Sequence, residues 1–252
     1  MMKTWLPLGV LITGLLSPLL AATQYYELPP LPAPSEYGNI IIDNLSTEKG
    51  QAPVAFSHWS HRRNYTCRVC HFELGFIMET NATGITEESN RQGEYCGTCH
   101  NNDIAFGHTE QNCKKCHNGG IDETREERFQ VLSSLPKARF GNGIDWGKAA
   151  ELRLIWPAQS IFDEDFESVP FKKLLKLQAK MAMIPPAYFP HDKHQQWNDC
   201  ADCHPDIFNV KEKTTEHFEM RYILDGKFCG ACHLTVAFPL NECKRCHWDM
   251  RD

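Results

Sequence analysis

Phe56-Ser57-His58-Trp59-Ser60-His61 runs on, through five residues, into Cys67-Arg68-Val69-Cys70-His71. Nearly the same order returns 133 residues later as Phe189-Pro190-His191-Asp192-Lys193-His194, followed by Cys200-Ala201-Asp202-Cys203-His204. Repetition at a fixed offset is the mark of a duplicated structural unit. The offset extends beyond these words: His100 corresponds to His233, and Gly93-Glu94-Tyr95-Cys96-Gly97-Thr98-Cys99-His100 resembles Gly226-Lys227-Phe228-Cys229-Gly230-Ala231-Cys232-His233. The third site drifts by three residues, His117 to His247.

All twelve cysteines fall into Cys-x-x-Cys pairs, and each pair is followed at once by histidine. The six sites are Cys67-Cys70-His71, Cys96-Cys99-His100, Cys113-Cys116-His117, Cys200-Cys203-His204, Cys229-Cys232-His233 and Cys243-Cys246-His247. Two thiols on one short turn reach the two vinyl groups of a haem, and the adjoining imidazole binds its iron from the same side. Zinc sites use cysteine pairs but give no reason for a histidine directly after the second cysteine every time. A dithiol redox pair is expected once, not six times. The spacing predicts six covalently attached c-type haems, with His71, His100, His117, His204, His233 and His247 as proximal iron ligands.

The other six histidines, His58, His61, His108, His191, His194 and His217, supply one distal imidazole for each haem. Residues three apart share one face of a helical turn. A short helix carrying His58 and His61 can therefore address two different irons, as can one carrying His191 and His194.

Phe-x-His-x-x-His followed by three Cys-x-x-Cys-His sites resembles the class III multihaem cytochromes, specifically their c(7)-type trihaem domain. The resemblance covers residues 54–117 and 187–247. It implies bis-histidine, low-potential haems that carry electrons, and it pairs His58 with His71, His61 with His100, His191 with His204, and His194 with His233. The family places the distal ligand of its last haem where His217 stands, which pairs His217 with His247. The first unit departs from the pattern: it has Gly84 at that position, and His108 goes to the haem of His117 by elimination. Met78 and Met220 are rival axial ligands, and a methionine there would raise the potential of that haem.

The remaining sequence divides into a leader, a lead and a linker. Lys3 and the apolar run Trp5–Leu20, giving way to Ala21 and Ala22, read as a signal peptide over residues 1–22, with an uncleaved membrane anchor as the alternative. A Pro-rich lead (23–53) contains Leu28-Pro29-Pro30-Leu31-Pro32-Ala33-Pro34 and reads as a tether, with Ile40-Ile41-Ile42 as a short strand or latch. Trihaem unit 1 (54–120) and trihaem unit 2 (187–252) flank a linker (121–186) without cysteine or histidine. The linker is too long for a plain loop in a compact domain. It predicts a helix near Lys148–Leu154 and a packing helix over Phe171–Ile184, ended by Pro185-Pro186. With six large apolar macrocycles as core, the expected fold class is mainly irregular and small α: short helices, long loops and few strands.

The formal net charge of −6 carries no basic nucleic-acid footprint. Two protein ligands on an iron leave no position open to substrate, so the reading is an electron carrier rather than an enzyme, outside the cytoplasm, periplasmic or extracellular. Its partners are other redox proteins: cytochromes, quinol-oxidising complexes or terminal reductases. Two alternatives stand beside it. One is a multihaem reductase with one open-site haem, for which the site of His117 is the candidate. The other is a self-associating subunit of an extracellular cytochrome filament.

Overall fold

The computed structural model describes residues 26–119, 123–209 and 219–251. The leader, with its signal peptide, and His217 lie outside the described residues. The chain is built from short pieces, as the sequence predicts. Strands β1 (Asn39–Ile42) and β2 (Val54–Ser57) pair antiparallel, with Ile40 opposite Phe56. Strands β3 (Leu174–Leu177) and β4 (Ala187–Pro190) do the same, with Leu175 opposite Phe189. Among the described residues the α-helices are α1 (Asn44–Glu48), α2 (His58–Arg62), α3 (Glu87–Arg91), α4 (Cys113–Cys116), α5 (Glu123–Gln130), α6 (Trp146–Glu151), α7 (His191–Gln195), α8 (Met220–Leu224) and α9 (Gly230–His233). Tight turns of other helical types lie over Val69–Glu73, Tyr95–Thr98 and Cys243–Arg245.

The duplication seen in the sequence is a duplication of structure. β2 leads directly into α2, and β4 directly into α7, so each histidine-bearing helix is launched from a strand end. Gly93 and Gly226 take positive φ values of 85° and 81°, and Tyr95 and Phe228 follow with 47° and 53°. A non-glycine residue in the left-handed region is uncommon, and the same exception at equivalent places marks one loop design used twice. Within that loop Gly97 and Gly230 are sterically obligatory. A Cβ on Gly97 would fall 1.8 Å from the carbonyl oxygen of Asn90, and one on Gly230 would fall 1.9 Å from that of Ile223. Helices α3 and α8 thus press their backbones onto the second cysteine motif of each unit. α3 is pinned by a capping box between Thr86 and Ser89 and by an Arg91–Glu87 ion pair one turn apart.

Ile40–Ile42 lies in a strand, one of the two forms expected for it, and it pairs with β2, so the Pro-rich lead packs against the first unit. One expectation changes. The packing helix expected over Phe171–Ile184 is absent; Leu174–Leu177 is a strand. Its side chains alternate exposed and half-buried, which is strand periodicity, and its backbone finds a partner in Ala187–Pro190 across the Pro185-Pro186 connection. Tertiary pairing outweighs the intrinsic helix preference of Leu, Lys and Met.

The linker forms the main apolar core that the chain builds from its own side chains. Leu132, Leu135, Ile144, Trp146, Ala149 and Ile155 pack with Trp59 of α2 and Trp197, just beyond α7. Asp145 caps α6 through the Lys148 amide at 3.0 Å, and this helix overlaps the one expected near Lys148–Leu154 but starts at Trp146 and ends at Glu151. The linker thereby grips both histidine-bearing segments at once. Its stretch Ala158–Ile161 also clamps the first motif: Thr66 N donates to Ala158 O at 3.0 Å, Arg68 donates to Gln159 O at 2.9 Å, and Ile161 N donates to Glu73 at 2.9 Å.

Candidate haem-binding site

None of the twelve cysteines is joined to another. Instead one continuous cavity of about 1500 Å³ runs through the molecule, and every motif contributes at least one cysteine to its wall: Cys70, Cys96, Cys116, Cys203, Cys229 and Cys246. Pockets for single drug-sized ligands hold about 300–1,000 Å³, so this space suits several large groups.

His58, His61, His71, His100, His194 and His233 line this space, and they are held in the same manner as His117, His191, His204 and His247. His71, His100 and His117 place ring Nδ1 at 2.7, 2.9 and 2.8 Å from the carbonyl oxygens of Phe76, Phe106 and Ala52. His204, His233 and His247 do the same at 2.5, 2.7 and 2.7 Å with Phe208, Phe238 and Pro185. His58 and His61 bind Gly38 O and Ser57 O at 3.1 and 3.0 Å, and His191 and His194 bind Lys173 O and Pro190 O, both at 2.9 Å. A carbonyl oxygen only accepts, so Nδ1 carries the proton in all ten rings. Nε2 is left with its lone pair, the tautomer an iron ligand requires.

The ring contacts of the histidines repeat between the units. Phe56 stacks on His61 with ring centres 4.6 Å apart and meets His58 edge-on at 4.9 Å. Phe189 repeats this with His194 at 4.1 Å and His191 at 4.9 Å. One aromatic ring thus fixes both imidazoles of a helix. His61 and His100 have ring centres 6.2 Å apart, and His194 and His233 have them 6.3 Å apart. Two metal–imidazole bonds of about 2.0–2.1 Å to one atom, plus about 1 Å from each nitrogen to its ring centre, would span about 6.1 Å.

Electrostatics point the same way. Burial, then the nearby His71 imidazole, push the His58 pKa down to about 3. Burial pushes His233 down to about 4, with His194 adding to the effect. These rings are kept neutral, as ligands must be. Burial drives the Cys70, Cys229 and Cys232 thiols up to about 12, so they are not free reactive thiolates.

His108 stands apart. Among the described residues its ring makes no hydrogen bond. Burial lowers its pKa, and the charged and polar groups around it are Arg91, His100 and Glu87 rather than His117. Met78 lies with its sulfur 3.9 Å from Cys232 Sγ, beside the fifth motif, at the boundary between the units. Met220 opens α8. What the sequence did not disclose is the pair of arginines at that boundary. Arg68 joins Glu73, Asp199 and Gln159, and Arg62 sits over Trp197 and Trp146. Single arginines, one ending α2 and one inside a cysteine motif, carry no spacing signal.

The residues therefore fit c-type haem: paired thiols for attachment, Nε2 lone pairs for iron, and apolar space between them. A comparison with curated proteins gives no match. Among solved structures, the C-terminal hexaheme fragment of GSU1996 is 26% identical over 88% of this chain and 99% of its own, with a TM-score of 0.28. The dodecaheme cytochrome c GSU1996 is 24% identical over 83% of this chain and 73% of its own, with a TM-score of 0.27. The profile of the family described as cytochrome c7 and related cytochrome c matches residues 54–118 and 187–248, together half of the chain and one match to each repeat. The chain belongs to the family of cytochrome c7 and related c-type cytochromes, and is a multihaem member of it.

Proposed function

We propose that the chain carries six haems and relays electrons between redox proteins outside the cytoplasm. The observation that carries this reading is the carbonyl-anchored imidazole, repeated at ten histidines, of which His58, His61, His71, His100, His194 and His233 line one continuous cavity. Haem c, when bound, supplies a one-electron iron couple. The chain's residues do the rest. Cys-x-x-Cys pairs fix each macrocycle; His71, His100, His117, His204, His233 and His247 hold one face of the irons. His58, His61, His191, His194 and His217 close the other face, and His108 is the remaining candidate. Two histidines on an iron would leave it no open position for substrate, and the chemistry the group would then supply is electron exchange. The helices α2 and α7, each bearing two ligands, hold neighbouring haems at fixed spacing.

No helix among the described residues is long and apolar enough to cross a membrane. Export through the N-terminal leader, with partners that dock briefly on surface haems, completes the reading.

The test is direct. Intact mass shows six added haem groups, spectroelectrochemical titration takes up six electrons over a broad negative range, and paramagnetic resonance of the oxidised protein shows only low-spin iron. Fewer haems, or a transition with fewer electrons, rejects it. One observation favours a second reading, the reductase with an open iron: His108 lacks the anchor that every other described histidine has. A high-spin ferric signal from one haem in six is the result that selects it.

A further inference from the structure

Arg62 closes α2 immediately after His61. Its guanidinium carbon stands 4.7 Å from the centre of the Trp197 ring and 5.6 Å from that of Trp146. One terminal nitrogen reaches Val236 O at 3.4 Å, a long contact. Nε is closed off from solvent and has no hydrogen-bond partner. The side chain lines the cavity at the place where the first motif of unit 1 approaches the second motif of unit 2. Its neighbours there include Cys67, Cys232 and Tyr37.

Those three neighbours do not supply a negative charge. In a haem-bearing chain both sulfurs are thioethers. Burial holds the Tyr37 phenol well above its ordinary pKa, so it stays protonated. Among the described residues no carboxylate pairs with Arg62. An enclosed cation without a counter-charge is costly, and two indole faces compensate only in part. The repeat shows that α2 does not need the charge for its own sake: the equivalent residue at the end of α7 is Gln195, which accepts from Phe171 N at 2.8 Å instead.

We propose that Arg62 binds the carboxylate of a haem propionate at the junction between the two trihaem units. This rests on the haem-bearing reading given above. The planar guanidinium fork matches a carboxylate with two parallel N–H donors, and Nε, now unpartnered, is one of them. The ligand class is a carboxylate attached to an apolar macrocycle, which is what the cavity beside Cys67 and Cys232 admits. A cation fixed there also favours the reduced iron. Its loss leaves the propionate uncompensated and moves the nearest haems to more negative potential.

The experiment compares wild type, Arg62→Gln and Arg62→Lys, with haem content measured first by intact mass. A wild type without six haems defeats the haem-bearing reading rather than this assignment. At equal haem content, Arg62→Gln displaces part of the redox titration, one or two haems of the six, to more negative potential; Arg62→Lys displaces it less; and Trp197→Phe, which keeps the cation, leaves it in place. Superimposable titrations for wild type and Arg62→Gln overturn the proposal. If Arg62→Gln fails to assemble, Arg62→Lys decides: its redox-difference infrared spectrum shows a shifted propionate carboxylate band, and an unshifted band overturns the assignment.

Discussion

Arg68, the residue after Cys67, donates through Nε to the carboxylate of Asp199, the residue before Cys200, at 3.1 Å. The first haem motif of unit 1 is thereby joined to the first haem motif of unit 2. The contact has company: Arg68 N donates to Trp197 O at 3.0 Å, and the same guanidinium binds Glu73, donates to Gln159 O and lies 3.7 Å above the Phe166 ring. Arg68 and Glu73 are 9% and 7% exposed at the side chain and Asp199 is 24% exposed, so this is a buried tie rather than a surface ion pair.

Arg68→Gln is expected to destabilise the protein by about 2 kcal/mol at pH 7, because Glu73 is left enclosed without its cation. Burial pushes the Glu73 carboxyl up, but Ser160, Ile161 and Arg68 together hold it below its ordinary value. A depressed carboxyl contributes stability above its unfolded pKa and loses it as pH falls through the folded one. The difference between variant and wild type therefore narrows as the pH drops below about 4.5, the ordinary value for Glu. Urea midpoints across pH 3–7 (approximate range) check this; a gap that is constant with pH contradicts it.

Tyr37, 2% exposed, crosses from the lead to unit 2 by donating to Ala237 O at 2.7 Å. Tyr37→Phe keeps the ring and strands the carbonyl, at a cost of about 1 kcal/mol. Thermal or urea unfolding reads the effect. An unchanged midpoint would mean that the lead is not fastened through this bond.

Gly97→Ala and Gly230→Ala each drive a methyl into a carbonyl oxygen of α3 or α8. Backbone cannot yield as a flexible side chain can, and each change is expected to cost about 3 kcal/mol, the upper part of the overpacking range. The variants should be recovered with one haem fewer, at the second site of the affected unit, by intact mass. Full haem content and wild-type stability would show that the close approach is not required.

His61→Ala and His108→Ala separate anchored from unanchored imidazoles. His61 is fixed by Ser57 O and by stacking on Phe56, 6.2 Å from His100. Its removal should convert one haem to high spin while all six remain attached. The same conversion in His108→Ala establishes His108 as the ligand opposite His117; a spectrum identical to wild type removes it from the ligand set.

The proximal half of each site was legible because it is local. Cys-x-x-Cys-His encodes attachment and ligation within five residues, and the 133-residue offset exposes the duplication without any knowledge of packing. His58 with His61 and His191 with His194 were legible as candidate distal ligands for the same reason, as pairs one helical turn apart. His108 was not, since a lone histidine between two motifs has no spacing partner. The stretch Phe171–Ile184 misled because Leu174, Leu175 and Leu177 satisfy a helical pattern nearly as well as a strand, and the arbiter is Ala187–Pro190 across the connection.

Composition and spacing alone determined the cofactor class, the number of motifs, the repeat and the poverty of regular secondary structure. Covalent attachment and metal ligation are short-range chemistry, and they are written in adjacent letters. Only the tertiary structure decided that the linker's tryptophan-rich core holds Trp59 and Trp197 together, that the two units share one cavity, and that Arg62 and Arg68 meet the opposite unit. Those outcomes depend on which buried charge finds which partner across more than a hundred residues of chain, and no local pattern records that choice.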